Sequence, residues 1–315
     1  MAQAVGTEPK PDRRRATLAG GALLLTTVFW GAMVPLTALL LQYFDPWFLA
    51  GARYIVALPF LWLFVALSRE QVSWRGLSLP RVAALGAAMT MFSVLYTLGI
   101  ASSHPVTASV ILMCGPIVAS IMARFLFGAP LDRTLLLALP VTIAGGVIVA
   151  LGAPGRMQVG FGFGGGEFLL VFAQVCWTWY SMRAQQWLAH LGQIRLSALT
   201  TSAAGLWMIA LYLLLWAVGV AAAPPVDVPL DMVAVLVLIS LTGVAFAIVL
   251  WNFGASAIGV PQAALYLNLQ PVVATLVAAA LGSPPSLLQI AGGVIVMAGV
   301  LYVQLSRLRN ASHAA

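Results

Sequence analysis

The stretch that decides the fold is GASAIGVPQAALYLNLQPVVATLVAAALGSPPSLLQIAGGVIV, residues 254–296. It is almost entirely apolar and long enough to cross a membrane as a helix, which takes about 20 residues. It also carries Pro271 within the apolar run. A proline inside a helix removes one backbone hydrogen bond, so the carbonyl of Leu267 is left free.

The same features occur in an earlier stretch, residues 99–149. Pro116 precedes Pro271 by the same number of residues as Gly99 precedes Gly254, and the carbonyl left free here is that of Leu112. The hexapeptide AGGVIV occurs once in each stretch, at 144–149 and 291–296. We interpret the chain as two repeats of one unit, with the two prolines as kinks that line or gate a cavity. The alternative is that both kinks are simply packed.

Composition identifies an integral membrane protein. Of the 315 residues, 62% are hydrophobic and 7% are charged, and the mean hydropathy is +1.02. Soluble domains carry about 25% charged residues, so this chain cannot build a water-facing surface and its main partner is the lipid bilayer. The net charge of +7 is typical of basic residues that orient membrane spans rather than of nucleic-acid binding. Cys114 and Cys176 lie in apolar runs, where we expect small core residues, and we predict no metal or cofactor.

Apolar runs separated by turn sequences predict ten transmembrane helices. The fold class is therefore all-α integral membrane, with two repeats of five helices. The predicted spans are 17–43, 47–67, 82–100, 106–127, 135–151, 168–188, 196–218, 232–253, 261–281 and 287–305.

The basic residues set the orientation. With the N-terminus in the cytoplasm, every Lys and Arg except Arg53 and Arg156 lies at or near the inner side, as the positive-inside rule requires. Both termini are then cytoplasmic. The predicted organisation is a disordered tail (1–16), a first five-helix repeat (17–151), a periplasmic linker (152–166), a second five-helix repeat (167–305) and a cytoplasmic tail (306–315).

An odd number of spans in each repeat makes the two halves enter the membrane from opposite sides. Inverted repeats recur in secondary transporters, where two near-equivalent arrangements open a midplane site alternately to each side. Duplication kept for packing alone is the other interpretation. We therefore expect alternating access to a small-molecule site.

Several segments resemble the drug/metabolite transporter superfamily. LGIASSHPVTASVILMCGPIVASIMARFLFGAPLD, from Leu98, resembles its fourth-helix signature, and FGASAIGVPQAALYLNLQPVVATLVAAALGSPPS, from Phe253, resembles the ninth-helix copy. VFWGAMVP and AQVCWTWYSMRAQQ resemble the openings of the first and sixth helices. The likeness covers residues 17–305 and is greatest to the ten-helix EamA-type branch, in particular the YddG-type amino-acid exporters. The glutamate that often follows "LG" in the family is missing from both copies.

This resemblance implies an exporter of small neutral and aromatic amino acids in the bacterial inner membrane. The alternative substrates are other zwitterionic or drug-like metabolites or nucleotide sugars. A membrane enzyme or a scaffold is the interpretation from a different class. A monomer is the expected state, with a homodimer left open.

The positions of the acidic residues, all outside the interiors of the predicted spans, argue against proton coupling and catalysis. All eight lie in tails, loops or helix ends, whereas proton relays in membranes use acids or histidines inside the spans. An intramembrane enzyme would need a nucleophile with a base, or a metal set, and the spans offer no evident one. We expect facilitated movement down a gradient, or a form of coupling that the sequence does not show.

Arg53 is the one charged residue well inside a span. It is interpreted either as a bidentate anchor for a substrate carboxylate or, more simply, as a structural side chain that snorkels or bonds to nearby carbonyls. Gly145-Gly146 and Gly292-Gly293 predict close helix packing within each half, with a homodimer contact as the alternative.

Polar and aromatic residues on the inner spans are the candidate substrate-binding residues. Neutral amides suit a zwitterion, and aromatic walls suit apolar or aromatic side chains. Lipid contact or an interfacial belt is the alternative for each aromatic residue. The candidates are Trp30, Tyr96, Ser109, Met113, Gln174, Trp177, Tyr180, Trp251, Asn252, Tyr266, Asn268 and Gln270, with Pro116 and Pro271 as kinks or gates.

Overall fold

The computed structural model describes residues 13–68, 76–101, 111–131, 133–151, 166–280, 282 and 286–313. Within these ranges the chain forms helices and turns and contains no β-strand. The predicted all-α class is therefore confirmed for the described part. Ser109, residues 1–12 of the predicted tail and residues 152–165 of the predicted linker lie outside it.

The helices of the first repeat lie close to the predicted spans, except that a turn at Cys114 interrupts the span predicted at 106–127. They are α1 (Arg13–Leu40), α2 (Pro46–Leu67), α3 (Leu79–Ala101), α4 (Gly115–Phe127) and α5 (Arg133–Leu151). Asp45 begins α2, because its carboxylate accepts hydrogen bonds from the backbone N–H groups of Trp47 (2.9 Å) and Phe48 (3.1 Å). Gly128 ends α4 in the left-handed conformation (φ +68°), which favours glycine.

The second repeat contains two interrupted helices. Its uninterrupted helices are α6 (Gly166–Trp187), α7 (Gln193–Ala217) and α10 (Leu287–His313). In α8, a π-helical turn (Ser240–Phe246) separates Leu230–Ile239 from Ala247–Ile258. In α9, a 3₁₀ turn (Leu267–Leu269) separates Val260–Tyr266 from Gln270–Ala280. Only the second interruption lies near a predicted kink, that of Pro271.

The helices form a multi-pass membrane protein. Six helical segments among the described residues are long and apolar enough to cross a bilayer, namely Arg14–Thr37, Pro46–Leu67, Leu79–Gly99, Gln193–Ala217, Leu230–Ile258 and Val260–Val277. Large apolar side chains on their outer faces and those of their neighbours are exposed, among them Leu137, Phe168 and Leu206. Such a surface suits lipid and not water. Ten crossings, and their orientation, stay predictions.

The packing is symmetric with respect to the two repeats. Helix α1 packs against α8 and α9 of the second repeat, and α6, its counterpart, packs against α3 and α4 of the first. Helix α2 packs against α7, and α5 against α10, so these contacts join equivalent helices. Each half is therefore completed by helices of the other half.

The repeated glycines lie where α5 meets α10. A Cβ added to Gly145 would lie 2.8 Å from the carbonyl oxygen of Gly292, and one added to Gly292 would lie 2.5 Å from that of Gly145. Only glycine permits so close an approach of two backbones. The prediction that the repeated glycines pack within each half is therefore wrong for Gly145 and Gly292, which join the two halves. Gly146 and Gly293 do pack within their own halves, against Met113 and Val272.

Candidate substrate site

Six aromatic side chains from four helices form one contiguous group at the junction of the repeats. The three indole rings of Trp30, Trp177 and Trp251 lie within 5.4–5.7 Å of one another, centroid to centroid. Such separations and tilted orientations are favourable for aromatic pairs. The aromatic cluster consists of Trp30 on α1, Phe92 and Tyr96 on α3, Trp177 and Tyr180 on α6, and Trp251 on α8.

The cluster brings together five of the predicted site residues. Phe92 is the member that the sequence prediction missed, although it lies one helical turn before Tyr96 on the same face. Its ring is 5.6 Å from Tyr96 and 5.1 Å from Trp177, so it joins α3 to α6. Tyr180 and Trp251 are completely buried, and Trp177 is 7% exposed. In this conformation the cluster is a packed layer.

A buried polar network adjoins the cluster. Asn252 is completely buried, and its amide donates to the hydroxyl oxygens of Tyr180 (3.2 Å) and Ser197 (2.9 Å). The Tyr180 hydroxyl also lies 3.1 Å from that of Thr200. The Gln185 amide donates to the Asn252 backbone carbonyl at 3.1 Å. Asn252 and Tyr180, both predicted to bind substrate, are therefore satisfied by protein partners here.

The break at the start of α4 has a specific partner on α6. Pro116 lies in the first turn of α4, and the Gln174 amide donates to the carbonyl of Leu112 at 2.7 Å. This is the carbonyl that the sequence predicts to be free. A Cβ on Gly115 would lie 2.9 Å from the Gln174 amide nitrogen, so glycine leaves room for the contact. An uncharged donor replaces the missing backbone N–H.

The break in α9 is contacted from α1, at the carbonyl next to the one that Pro271 frees. The Thr27 hydroxyl lies 3.1 Å from the Tyr266 carbonyl and 2.9 Å from that of Leu23, so its one proton is shared between them. Thr27 precedes Gln174 by the same number of residues as the first AGGVIV precedes the second, so both donors occupy equivalent positions in the repeats. Each half therefore bonds to the broken helix of the other. Pro271 follows the 3₁₀ turn, as Pro116 follows the break near Cys114.

Four other predicted residues lie away from the aromatic cluster contacts. Met113 packs against Gly146 of α5. Asn268 is 1% exposed and donates to the Thr142 hydroxyl of α5 at 3.0 Å. The remaining two, Tyr266 and Gln270, lie against α1. A Cβ on Gly20 would lie 3.1 Å from the Tyr266 hydroxyl, and one on Gly31 would lie 3.0 Å from the Gln270 carbonyl.

A cavity of about 720 Å³ opens at one end of the molecule, where α4, α6 and α8 end and α9 begins. Its volume falls in the range of about 300–1,000 Å³ that small-molecule sites occupy. Exposed residues at its rim open it to the surface. Its lining comprises Ser120, Ala123, Phe127, Ala129, Pro130, Leu131, Met182, Gln185, Gln186, Ala255, Gly259, Val260, Pro261 and Gln262.

The cavity and the predicted site residues are adjacent but distinct. None of the predicted residues that the structure describes lines the cavity. Gln185 connects the two, because it lines the cavity and bonds to Asn252. The aromatic cluster is therefore not part of the cavity wall, whereas the sequence predicted that these residues surround a cavity.

The π-helical turn of α8 holds Trp30 at the other side of the cluster. The indole N–H of Trp30 donates to the Gly243 carbonyl at 2.7 Å. One turn further along α1, Met33 also packs on Gly243, where an added Cβ would lie 2.6 Å from its sulfur. Arg53 on α2 donates to this sulfur at 3.5 Å. π-helical turns are rare and occur often at functional sites.

No group of three or more His, Cys, Asp or Glu side chains gathers within the described ranges. Among the acidic residues, Asp45 caps α2 and also accepts from the Ala222 backbone N–H at 3.2 Å. Glu167, in the first turn of α6, is 3% exposed, a burial that the sequence prediction did not anticipate.

The fold and the site define a class: an all-helical, multi-pass membrane protein whose two repeats interlock around buried aromatic and polar side chains. The model of the EamA-like transporter family matches residues 18–151 and again residues 164–305. The chain belongs to this family and is a membrane transporter.

Two comparisons accompany the family match. An uncharacterized transporter, YyaM, of Bacillus subtilis (strain 168) is 22% identical over 286 residues, which covers 89% of this chain and 91% of the relative. A protein of known crystal structure superposes with a TM-score of 0.75 at 19% identity, over 95% of this chain and 99% of that one. The second comparison shows a shared fold.

Proposed function

We propose that the chain exports neutral and aromatic amino acids by alternating access, in the manner of the YddG-type exporters that its sequence resembles. The observation that carries the proposal is the aromatic cluster between the repeats, which Gln185 and Asn252 connect to a cavity of about 720 Å³. Aromatic walls with neutral amides nearby favour substrates that combine an apolar side chain with a zwitterionic backbone.

The predicted orientation assigns a side to the cavity. With the N-terminus in the cytoplasm, α4, α6 and α8 all end at the inner surface, so the cavity opens inward. Arg124, Arg183 and Arg195 lie near these helix ends and near the start of α7, as the positive-inside rule predicts. The structure then represents the state that collects substrate from the cytoplasm.

The cluster is the barrier that has to part in this cycle. Trp30 belongs to the first repeat and Trp177 and Trp251 to the second, so a relative movement of the repeats separates their rings. Opening this layer while the cavity closes would move a bound solute to the outer side.

The test is counterflow in liposomes. Purified protein reconstituted with unlabelled phenylalanine inside should accumulate labelled phenylalanine transiently, and Trp177→Ala should reduce the initial rate at least about tenfold by loss of the aromatic wall. Trp216→Ala is the matched control, because Trp216 is 46% exposed at the end of α7. If folded wild-type protein shows no counterflow of any amino acid, the proposal is refuted; counterflow of nucleotide sugars instead would favour the alternative substrate class.

A further inference from the structure

Arg53 is a cation inside a membrane-spanning helix. It lies two turns into α2, a segment that is apolar enough to cross the bilayer. Its side chain is partly buried, and its Nε is enclosed with no hydrogen-bond partner among the described residues. Arginine stays protonated in proteins, so the site carries a fixed positive charge.

The charge is poorly compensated by the described part of the chain. Among the described residues the guanidinium donates to the sulfur of Met33 at 3.5 Å, and a thioether is a weak acceptor. The described acids all lie at helix ends or in loops: Asp45 caps α2, Glu167 is in the first turn of α6, and Asp227 and Asp231 precede or begin α8. An ionised side chain within a membrane span is costly, and its presence marks a functional site by default.

The position of Arg53 relates it to the aromatic cluster. Met33 lies one helical turn beyond Trp30 on α1, and both contact Gly243 in the π-helical turn. Arg53 in turn contacts the sulfur of Met33. Arg53 therefore borders the cluster on the side away from the cavity, where a substrate would arrive once the indole rings separate.

We propose that Arg53 binds the carboxylate of the transported substrate and so restricts transport to compounds that carry one. This assignment deepens the proposed amino-acid export and rests on it. A guanidinium pairs with a carboxylate through two parallel hydrogen bonds, and the enclosed Nε supplies one of the donors. The aromatic rings beside it then receive the apolar part of the same molecule.

Three ligands that share a phenyl ring separate the groups involved. Phenylalanine carries a carboxylate and an ammonium group, 3-phenylpropionate carries the carboxylate alone, and phenethylamine carries the ammonium alone. Binding of each to purified full-length protein is measured by calorimetry, with Arg53→Gln and Arg53→Lys compared with wild type. Arg81→Gln is the matched control, because Arg81 is exposed at the start of α3 and stacks on Trp187.

Arg53→Gln is expected to weaken binding of phenylalanine and 3-phenylpropionate by about 10- to 100-fold, as the loss of hydrogen bonds to a charged group implies. Phenethylamine binding should not weaken. Arg53→Lys keeps the charge but loses the bidentate geometry, so it should weaken binding of the two carboxylates about 3- to 10-fold relative to phenethylamine. Arg81→Gln should bind all three ligands as wild type does.

Three results overturn the assignment: wild-type protein that does not bind 3-phenylpropionate, Arg53→Gln that binds the carboxylates as wild type does, or equal weakening for carboxylates and amine. If Arg53→Gln does not fold, the ratio of affinities in Arg53→Lys decides instead. These binding ratios are independent of counterflow. A chain that binds 3-phenylpropionate through Arg53 but moves no amino acid would refute the proposed substrate class alone.

Discussion

Replacing Gln174 with leucine tests how the break in the fourth helix is stabilised. The Gln174 amide donates to the carbonyl of Leu112 at 2.7 Å, in place of the backbone N–H that Pro116 lacks. Leucine has a similar volume but no donor, so Gln174→Leu leaves this carbonyl without its partner while the surrounding packing is largely kept.

The expected cost follows from two bounds. Leaving a buried acceptor unpaired costs about 1–3 kcal/mol in proteins generally. Side-chain hydrogen bonds inside membranes are weaker, with a mean of about 0.6 kcal/mol and a maximum of about 1.7 kcal/mol. Because this bond is short and its acceptor has lost its helical partner, we expect Gln174→Leu to lower the free energy of unfolding by about 1–1.7 kcal/mol.

A double-mutant cycle with Pro116→Ala isolates the interaction. Alanine restores the backbone N–H that reaches the Leu112 carbonyl, so the same Gln174→Leu change should cost less than about 0.5 kcal/mol in that background. Unfolding in mixed detergent–SDS micelles, followed by circular dichroism, measures all four proteins. Gln186→Leu is the control on the same helix, because Gln186 is exposed. An equal cost of Gln174→Leu in both backgrounds would show that the amide does not replace the missing N–H.

Three further changes have defined outcomes. Gly86→Val should destabilise the protein by about 1–3 kcal/mol, because an added Cβ would lie 2.7 Å from the backbone of α7. The control is Gly21→Ala, which should be neutral or stabilising because an added Cβ meets nothing within 4 Å. Equal melting temperatures for the two variants would contradict the packing of α3 on α7. Asn252→Leu should cost about 1–3 kcal/mol in the same unfolding assay by breaking the buried network, and a variant as stable as wild type would show that the network contributes little. In a cysteine-free background, a cysteine at Asp227 should react with an impermeant maleimide from outside intact cells and one at His190 only after lysis; the reverse pattern would refute the orientation.

The sequence was most informative where one residue fixes the local backbone. Pro116 and Pro271 identified the breaks at the start of α4 and within α9, but not the one in α8, and Pro116 identified the Leu112 carbonyl as a group that needs a partner. The sequence did not predict that Gln174 is this partner and instead predicted that Gln174 binds substrate. The contact was missed because it depends on how α6 packs on α4. That relation between the repeats is not encoded in local spacing.

For the same reason the sequence did not predict which helix Gly145 contacts or where the cavity lies. Small residues at helical spacing indicate close packing, but they do not say which helix lies opposite, and Gly145 in fact meets Gly292 across the halves. Five aromatic candidates were brought together as a group, yet the cavity lies beside them. A transporter sequence has to satisfy more than one arrangement of its helices, so a pattern read from it cannot tell which surfaces are open in one state.

The triangle of tryptophans gives the molecule an optical reporter of its own. Indole rings held 5.4–5.7 Å apart at fixed tilts share their excited states, and the resulting exciton signal in near-ultraviolet circular dichroism depends steeply on ring separation. Any cycle that parts Trp30 from Trp177 and Trp251 must therefore change this signal without an attached dye. The circular dichroism signal then reports, in real time and in unmodified protein, whether an added solute changes the conformation.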